Sequence, residues 1–258
     1  MSVSPRITYI GHSTVLLSMG DAHFLTDPLF ADRIMVVKRK LPAGMALDAL
    51  PPLAGVTISH AHTDHMNMPT LRRMDKNTPF FVPPGCAPFL EKKGFSTVST
   101  LQTWEHVEVA GVTITSVPVN HVRGRFFPWQ DTGVASYIYT LGGKNILVAG
   151  DVDFGSLSPF EEIASRFSID VALLPVGGMR EVAFYNKRHH KKNVHIDPET
   201  AWEIFTLLGA KTIIPIHWGA ITVSKQPRDE APLRLREIAG DKAGQCVTIL
   251  YPGEGWSL

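Results

Sequence analysis

His60-Ala61-His62-Thr63-Asp64-His65 gathers three imidazoles and a carboxylate into six consecutive residues. The apolar, β-type run Val56 to Ser59 leads straight into it. Alternate residues of an extended chain point the same way, so His60 and His62 suit one ion while Asp64 and His65 turn toward a second position. Imidazole and carboxylate donors suit zinc or manganese, and iron also fits them. The lack of nearby thiols argues against a structural cysteine-based zinc site. With 11 histidines in 258 residues, chance would produce this pattern in roughly one such chain per thousand.

Three further residues stand where strands should end. His121 follows the run Val112 to Val119, Asp151 follows Ile146 to Ala149, and His217 follows Thr212 to Ile216 and precedes Trp218-Gly219. Ligand sites in open α/β sheets collect at the carboxyl ends of strands. His60, His62, Asp64, His65, His121, Asp151 and His217 are therefore the expected metal ligands, and a carboxylate such as Asp151 can bridge two ions.

The surrounding chain reads as strands first and helices later. Ile7 to Ile10, Thr14 to Ser18 and His23 to Thr26 are short β-type runs separated by turn residues. A long irregular stretch follows Asp27-Pro28 as far as Gly55, the length of a functional loop. Phe80 to Val82, Glu105 to Val109, Val112 to Val119, Ser136 to Thr140 and Ile146 to Ala149 are expected strands, with Leu141-Gly142-Gly143-Lys144 as a hairpin turn. Ser158-Pro159-Phe160-Glu161 reads as a capping box opening a helix to about Phe167. Val171 to Leu174 is a buried strand. Asp197-Pro198 caps a helix with the apolar stripe Ala201, Ile204, Phe205 and Leu208, ended by Gly209. A short helix Leu233 to Ile238 and a strand Val247 to Leu250 complete the expectation. Strands mixed with later helices, and no linker, predict a single α/β domain over 1–258, with room for a pseudo-duplicated sandwich.

Composition narrows the function classes. Lys and Arg total 25 against 24 Asp and Glu, a net +1, so a polyanion-coating surface and nucleic acid as the default partner are disfavoured. Cys86 and Cys246 form no framework or CxxC motif and read as reduced structural thiols. The start carries no signal-like segment, and no stretch has the ~20 apolar residues of a membrane span. A cytoplasmic protein is expected, and homo-oligomerisation stays open.

These residues resemble the metallo-β-lactamase superfamily over nearly the whole chain. The stretches Gly11-His12-Ser13-Thr14-Val15-Leu16, Thr26-Asp27-Pro28, Val194-His195-Ile196-Asp197-Pro198-Glu199 and Ile216-His217-Trp218-Gly219 resemble in particular the branch of N-acylphosphatidylethanolamine-hydrolysing phospholipase D and ascorbate-6-phosphate lactonase. The resemblance implies a four-layer αββα sandwich with a dinuclear site on one edge. His60, His62 and His121 would hold one ion, Asp64, His65 and His217 the other, and Asp151 would bridge. His195 matches a histidine near the reacting group, so Asp64, Asp151 and His195 are the expected catalytic residues.

Two cations close together lower the pKa of a shared water from ~15.7 towards ~7 and so supply hydroxide. The expected activity is hydrolysis of a phosphodiester, small or lipid-like. Lactone or amide hydrolysis on a small anionic substrate is the alternative, and a metal-binding protein without turnover is the reading from another class. Asp27 and His12 are candidates to brace the ligands from behind. Arg123 and Arg125 are the expected substrate anion binders. The basic run Lys187 to Lys192, in the loop that leads into His195, is a second candidate for anion recognition and reads first as a solvated loop. Phe126, Phe127, Trp129, Phe184 and Tyr185 could line an apolar pocket. The stretch Ile34 to Lys40, apolar then basic, suits either a lid or a peripheral membrane contact.

Overall fold

The computed structural model describes residues 4–121, 130–177, 195–221 and 227–258. Two sheets dominate it. The first has seven strands and the second six. In the first, β1 (Arg6–Gly11), β2 (Thr14–Met19) and β3 (Ala22–Thr26) form an antiparallel meander. β6 (Gly55–Thr57), β7 (Phe80–Val82) and β8 (Val98–Thr100) then add in parallel. The second sheet repeats this succession. β9 (His106–Val109), β10 (Val112–Val117), β11 (Ser136–Leu141) and β12 (Lys144–Val148) are antiparallel, and β13 (Val171–Pro175) and β14 (Thr212–Ile216) follow in parallel.

Apolar residues face both ways from each sheet, which makes the chain a four-layer αββα sandwich. Tyr9, Leu17 and Phe24 of the first sheet meet Ile114, Tyr139 and Leu147 of the second in one core. The outer face of the first sheet, with Leu16, Leu25, Val56 and Phe80, packs under Leu71 of helix α1 (Met68–Leu71) and Leu90 of α2 (Ala87–Glu91). Helices α3 (Ser158–Arg166) and α4 (Pro198–Leu208) contribute Phe160, Ile163, Ala201 and Ile204 to the larger core. At its start α4 has Asp197 accepting from Thr200 N, and at its end Gly209 in the left-handed region at φ 58°, as the apolar stripe required. Helix α5 (Glu230–Ala239) is longer than the sequence pattern suggested, and α6 (Ala243–Cys246) follows it.

Several boundaries differ from the sequence expectation, each for a local reason. The strand into the histidine cluster stops at Thr57 because Ser59 N turns to donate to Asp27 Oδ1. The strand before His121 stops at Val117, since Pro118 has no N–H for a ladder. Ser158 makes no capping box. It is the first helical residue, and its N–H donates to Ser156 Oγ instead. Val247 to Leu250 is not a strand. Val247 bridges Ile213 alone, and the Pro252-Gly253 turn sends the chain to the first sheet, where β15 (Gly255–Ser257) pairs with β1. The stretch 28–55 holds a two-stranded hairpin, β4 (Arg33–Ile34) with β5 (Val37–Lys38), and a 3-10 turn Leu47–Ala49.

No helix among the described residues is long and apolar enough to cross a membrane. The parallel strands β3, β6, β12 and β14 deliver Asp27, the cluster after Ser59, Asp151 and His217 from their carboxyl ends. Beyond the ends of β6 and β12, which belong to different sheets, Gly150 packs against Ser59 so tightly that a Cβ would collide with the Ser59 side chain. That collision leaves only glycine room beside Asp151.

Candidate metal centre

The site is built outward from Asp27, at the end of β3. Its Oδ1 accepts from Ser59 N at 2.7 Å, and its Oδ2 accepts from Ser59 Oγ at 2.7 Å and His65 Nδ1 at 2.8 Å. One carboxylate thus pins the turn after β6 and the orientation of one imidazole. With the His65 proton on Nδ1, its Nε2 presents a lone pair, and that atom lies 3.2 Å from Asp151 Oδ1. Ser59 Oγ gives its hydrogen to Asp27 and so accepts from His60 Nδ1 at 2.9 Å. His60 Nε2 is left bare in the same way, 2.7 Å from His62 Nδ1. His121 Nδ1 lies 3.2 Å from Asp153 Oδ1, and His121 Nε2 lies 3.2 Å from His62 Nδ1.

Three groups of donor atoms result among the described residues. His60, His62, His121 and Asp151 form one, His12, Asp64, His65 and His217 a second, and His121, Asp153 and His195 a smaller third, the ligand atoms within each lying within 4.8 Å of one another. All seven residues read from the sequence as ligands lie here. Asp151 stands between the first two groups. Its Oδ1 faces His65 Nε2 at 3.2 Å and His217 Nε2 at 2.9 Å, while its Oδ2 faces His60 Nε2 and His121 Nε2, both at 3.7 Å, and His195 Nδ1 at 3.5 Å.

Donor chemistry decides whether cations fit. Both oxygens of Asp151, together with His65 Nε2 and His217 Nε2, are buried and make no hydrogen bond despite their short separations. Buried polar atoms are almost always hydrogen-bonded, so atoms aimed at one another without that geometry need another partner. A tetrahedral cation with nitrogens at ~2.0–2.1 Å keeps those nitrogens about 3.3–3.4 Å apart. The His62–His121 separation is close to that and the His60–His62 one is tighter. The residues fit divalent cations.

His12, Asp27 and His217 sit in the left-handed backbone region at φ 61°, 37° and 58°. Strain of this kind persists where the surroundings over-determine it, commonly at functional sites. His217 N donates to His12 O at 2.8 Å, fastening the two strand-end turns to each other. His12 is thus both a turn residue and a neighbour of the cluster, its Nε2 3.1 Å from Asp64 Oδ2. His195, expected near the reacting group, lies beside Asp151, and its ring stacks on His121 at 5.6 Å. Arg123, Arg125, the Lys187 to Lys192 run and the aromatic residues Phe126, Phe127, Trp129, Phe184 and Tyr185 lie outside the described residues. Sequence reasoning missed Ser59 and Asp153. The signal for Asp153 was its place two residues beyond Asp151, on the same side of an extended chain.

The electrostatics of the cluster are polarised. Burial, and then His217, push the His12 imidazole down to about 3 from its ordinary 6.5. Burial and the neighbouring His65, His121 and His62 hold His60 well below 6.5. Burial would raise the Asp64 and Asp151 carboxyls, but the histidines around them overcome it and hold both well below the usual carboxylate range. Burial would likewise lower His65, but Asp151, Asp27 and Asp64 outweigh it and hold the imidazole well above 6.5.

The pH dependence of stability follows. His12 and His60 have depressed folded values, so their contribution is present above 6.5 and is lost as pH falls below it. The raised value of His65 gives a contribution already complete below 6.5, and the carboxylates lose theirs only below about 3.9. Chelator-stripped protein is therefore expected to unfold at progressively lower urea as pH falls from about 7 to about 4. A midpoint that stayed flat or rose on acidification would contradict this charge arrangement.

Residues 22–218 match the family model described as Beta-lactamase superfamily domain. N-acyl-phosphatidylethanolamine-hydrolyzing phospholipase D 1 of Caenorhabditis elegans is 29% identical, covering 96% of this chain and 74% of that protein. A UPF0173 metal-dependent hydrolase of Nitratidesulfovibrio vulgaris is 28% identical, covering 98% of this chain and 95% of that protein. Among solved structures, Igni18, a metallo hydrolase from the archaeon Ignicoccus hospitalis, matches with a TM-score of 0.74 at 22% identity over 99% of both chains.

Proposed function

Because the chain belongs to the Beta-lactamase superfamily domain family and is a metal-dependent hydrolase, we propose that it cleaves a phosphodiester, lipid-like in its body, at a pair of divalent cations. The observation that carries the pair is Asp151, whose two oxygens face different sets of imidazoles. One carboxylate between two donor groups suits a bridge. His60, His62 and His121 would hold one cation, and Asp64, His65 and His217 the other, with zinc or manganese matching the donor set. The phosphodiester reading is supported by the phospholipase D among the relatives. The chain over 1–258 is read as one hydrolase unit, since residues of both sheets share a core.

Two cations held there would supply hydroxide at neutral pH and offset the charge gained by the substrate oxygens. The protein's own part is positioning. Asp27 and Ser59 fix the His65 and His60 tautomers so that their bare nitrogens face inward. His195 stands outside the two groups proposed to hold the cations, and beside Asp151 it is placed to hold a proton against the oxygen that gains charge. A cysteine nucleophile is not required. Cys86 is buried, and burial pushes its thiol up to about 11.

The test is turnover of bis(p-nitrophenyl) phosphate by protein loaded with zinc or manganese. Metal-dependent turnover is expected. In His195→Ala it should fall by about 10²–10⁴-fold with the metal content unchanged. Loss of metal in that variant would make His195 a ligand, a role its place with His121 and Asp153 in a third donor group would permit. No turnover by metal-loaded wild type would reject the phosphodiester and move the substrate class to lactones and amides. Failure on those too would leave a metal-binding protein without turnover.

A further inference from the structure

The β4–β5 hairpin carries residues its own turn does not want. Ile34 pairs with Val37, so Met35 and Val36 form a two-residue loop, and Met35 sits at φ 50°. Tight hairpin loops with positive φ favour glycine or asparagine, and a β-branched residue has no local advantage there. Neither side chain compensates by packing. Met35 is 56% exposed and Val36 86%, the two most exposed of the large apolar side chains among the described residues. The sequence thus accepts backbone strain and apolar exposure together at one tip.

The rest of the hairpin is firmly held. Ile34 is buried, Arg39 Nη1 donates to Leu29 O at 2.6 Å, and Arg39 Nε donates to Leu41 O at 2.7 Å. Lys40 N donates to Ala220 O at 2.7 Å, three residues beyond His217, which ties the hairpin base to the rim of the metal centre. Arg33 and Lys38, a cross-strand pair, are exposed beside the tip, Lys40 is exposed at the base, and Arg228, also exposed, donates to Lys40 O. Asp32 is the exposed acid in this stretch.

We infer that this hairpin is a membrane-docking wedge, with Met35 and Val36 entering the acyl boundary of an anionic lipid surface while Arg33 and Lys38 beside them meet its headgroup phosphates. An apolar tip flanked by cations matches the layered chemistry of such a surface, where basic residues add attraction to anionic lipid. The inference rests on the lipid-like reading of the substrate and deepens it. Docking there would bring the metal centre to lipid rather than wait for lipid in water.

The test is sedimentation of the whole chain with vesicles of phosphatidylcholine alone and of equal parts phosphatidylcholine and phosphatidylglycerol. The comparison variant is Met35→Gly/Val36→Asn, which puts glycine at the positive-φ position of the turn and so should fold at least as well. The wild type is expected to bind the anionic vesicles and the double variant to bind more than about tenfold more weakly. Both should turn over bis(p-nitrophenyl) phosphate equally in vesicle-free buffer, so the wedge can fail while hydrolysis stands, and the reverse. Lys38→Glu should weaken binding to the anionic vesicles as well. Wild type that stays in the supernatant, or a double variant that binds as wild type does, would overturn the inference. A dimer dissolved by the double variant would also overturn it, by assigning the tip to a second copy of the chain.

Discussion

Asp151→Asn is expected to abolish metal-dependent hydrolysis and to bind less metal, while the fold survives. The carboxylate is fully buried and lies within 3.7 Å of nitrogens from five histidines, His60, His65, His121, His195 and His217. An amide keeps the shape but replaces one anionic oxygen with an N–H₂ that cannot act as a ligand. Both proposed cations would lose part of their charge compensation at once. Partners behind a ligand typically cost about 10–100-fold in affinity or activity when removed. A shared ligand should cost more than that upper figure, and more than removing any single histidine. Metal-to-protein ratio, circular dichroism and turnover on one sample check the prediction. Near-native turnover, or a loss no greater than for His60→Ala, would remove the bridging role from Asp151.

Asp27→Ala is expected to be the most damaging change outside the ligands themselves. It strands Ser59 N, Ser59 Oγ and His65 Nδ1, all of which donate to this carboxylate in a buried setting. Each buried donor left without an acceptor costs ~1–3 kcal/mol, so the three together set an expected loss of at least about 3 kcal/mol. The left-handed φ of 37° adds to the cost, since alanine accepts that region less readily than aspartate. Metal affinity should fall by about 10–100-fold because the His65 ring loses its anchor. Urea unfolding of stripped protein measures the first effect, and competition with a chelator the second. Stability within about 0.5 kcal/mol of wild type would show that water replaces the carboxylate, and the argument for Asp27 as the organiser would fail.

Much of this molecule was legible before any fold was known. The alternating apolar runs gave the antiparallel strands within a residue or two, and Asp197 with Gly209 bounded α4. Those features depend on near neighbours in the chain, which is where periodicity and capping act. The Leu141 to Lys144 hairpin was likewise visible in Gly142-Gly143, both at positive φ. The misreadings fell where a distant group intervened. Ser59 looks like a strand residue until Asp27 claims its N–H, and Val247 to Leu250 looks like a strand until the last segment crosses to β1.

The sequence alone determined the donor chemistry. Imidazoles and carboxylates at the ends of apolar runs can serve hard or borderline cations wherever those ends meet. What only the tertiary structure decided is which atoms face which. Asp27 reaches His65 across 38 residues, and His12 reaches Asp64 across 52. Asp151 lies between two donor groups because the segments that follow β6 and β12, strands of different sheets, meet where Gly150 packs against Ser59. A hydrogen bond selects its partner by distance and angle within a few tenths of an ångström, and such precision arises only when the sheets pack.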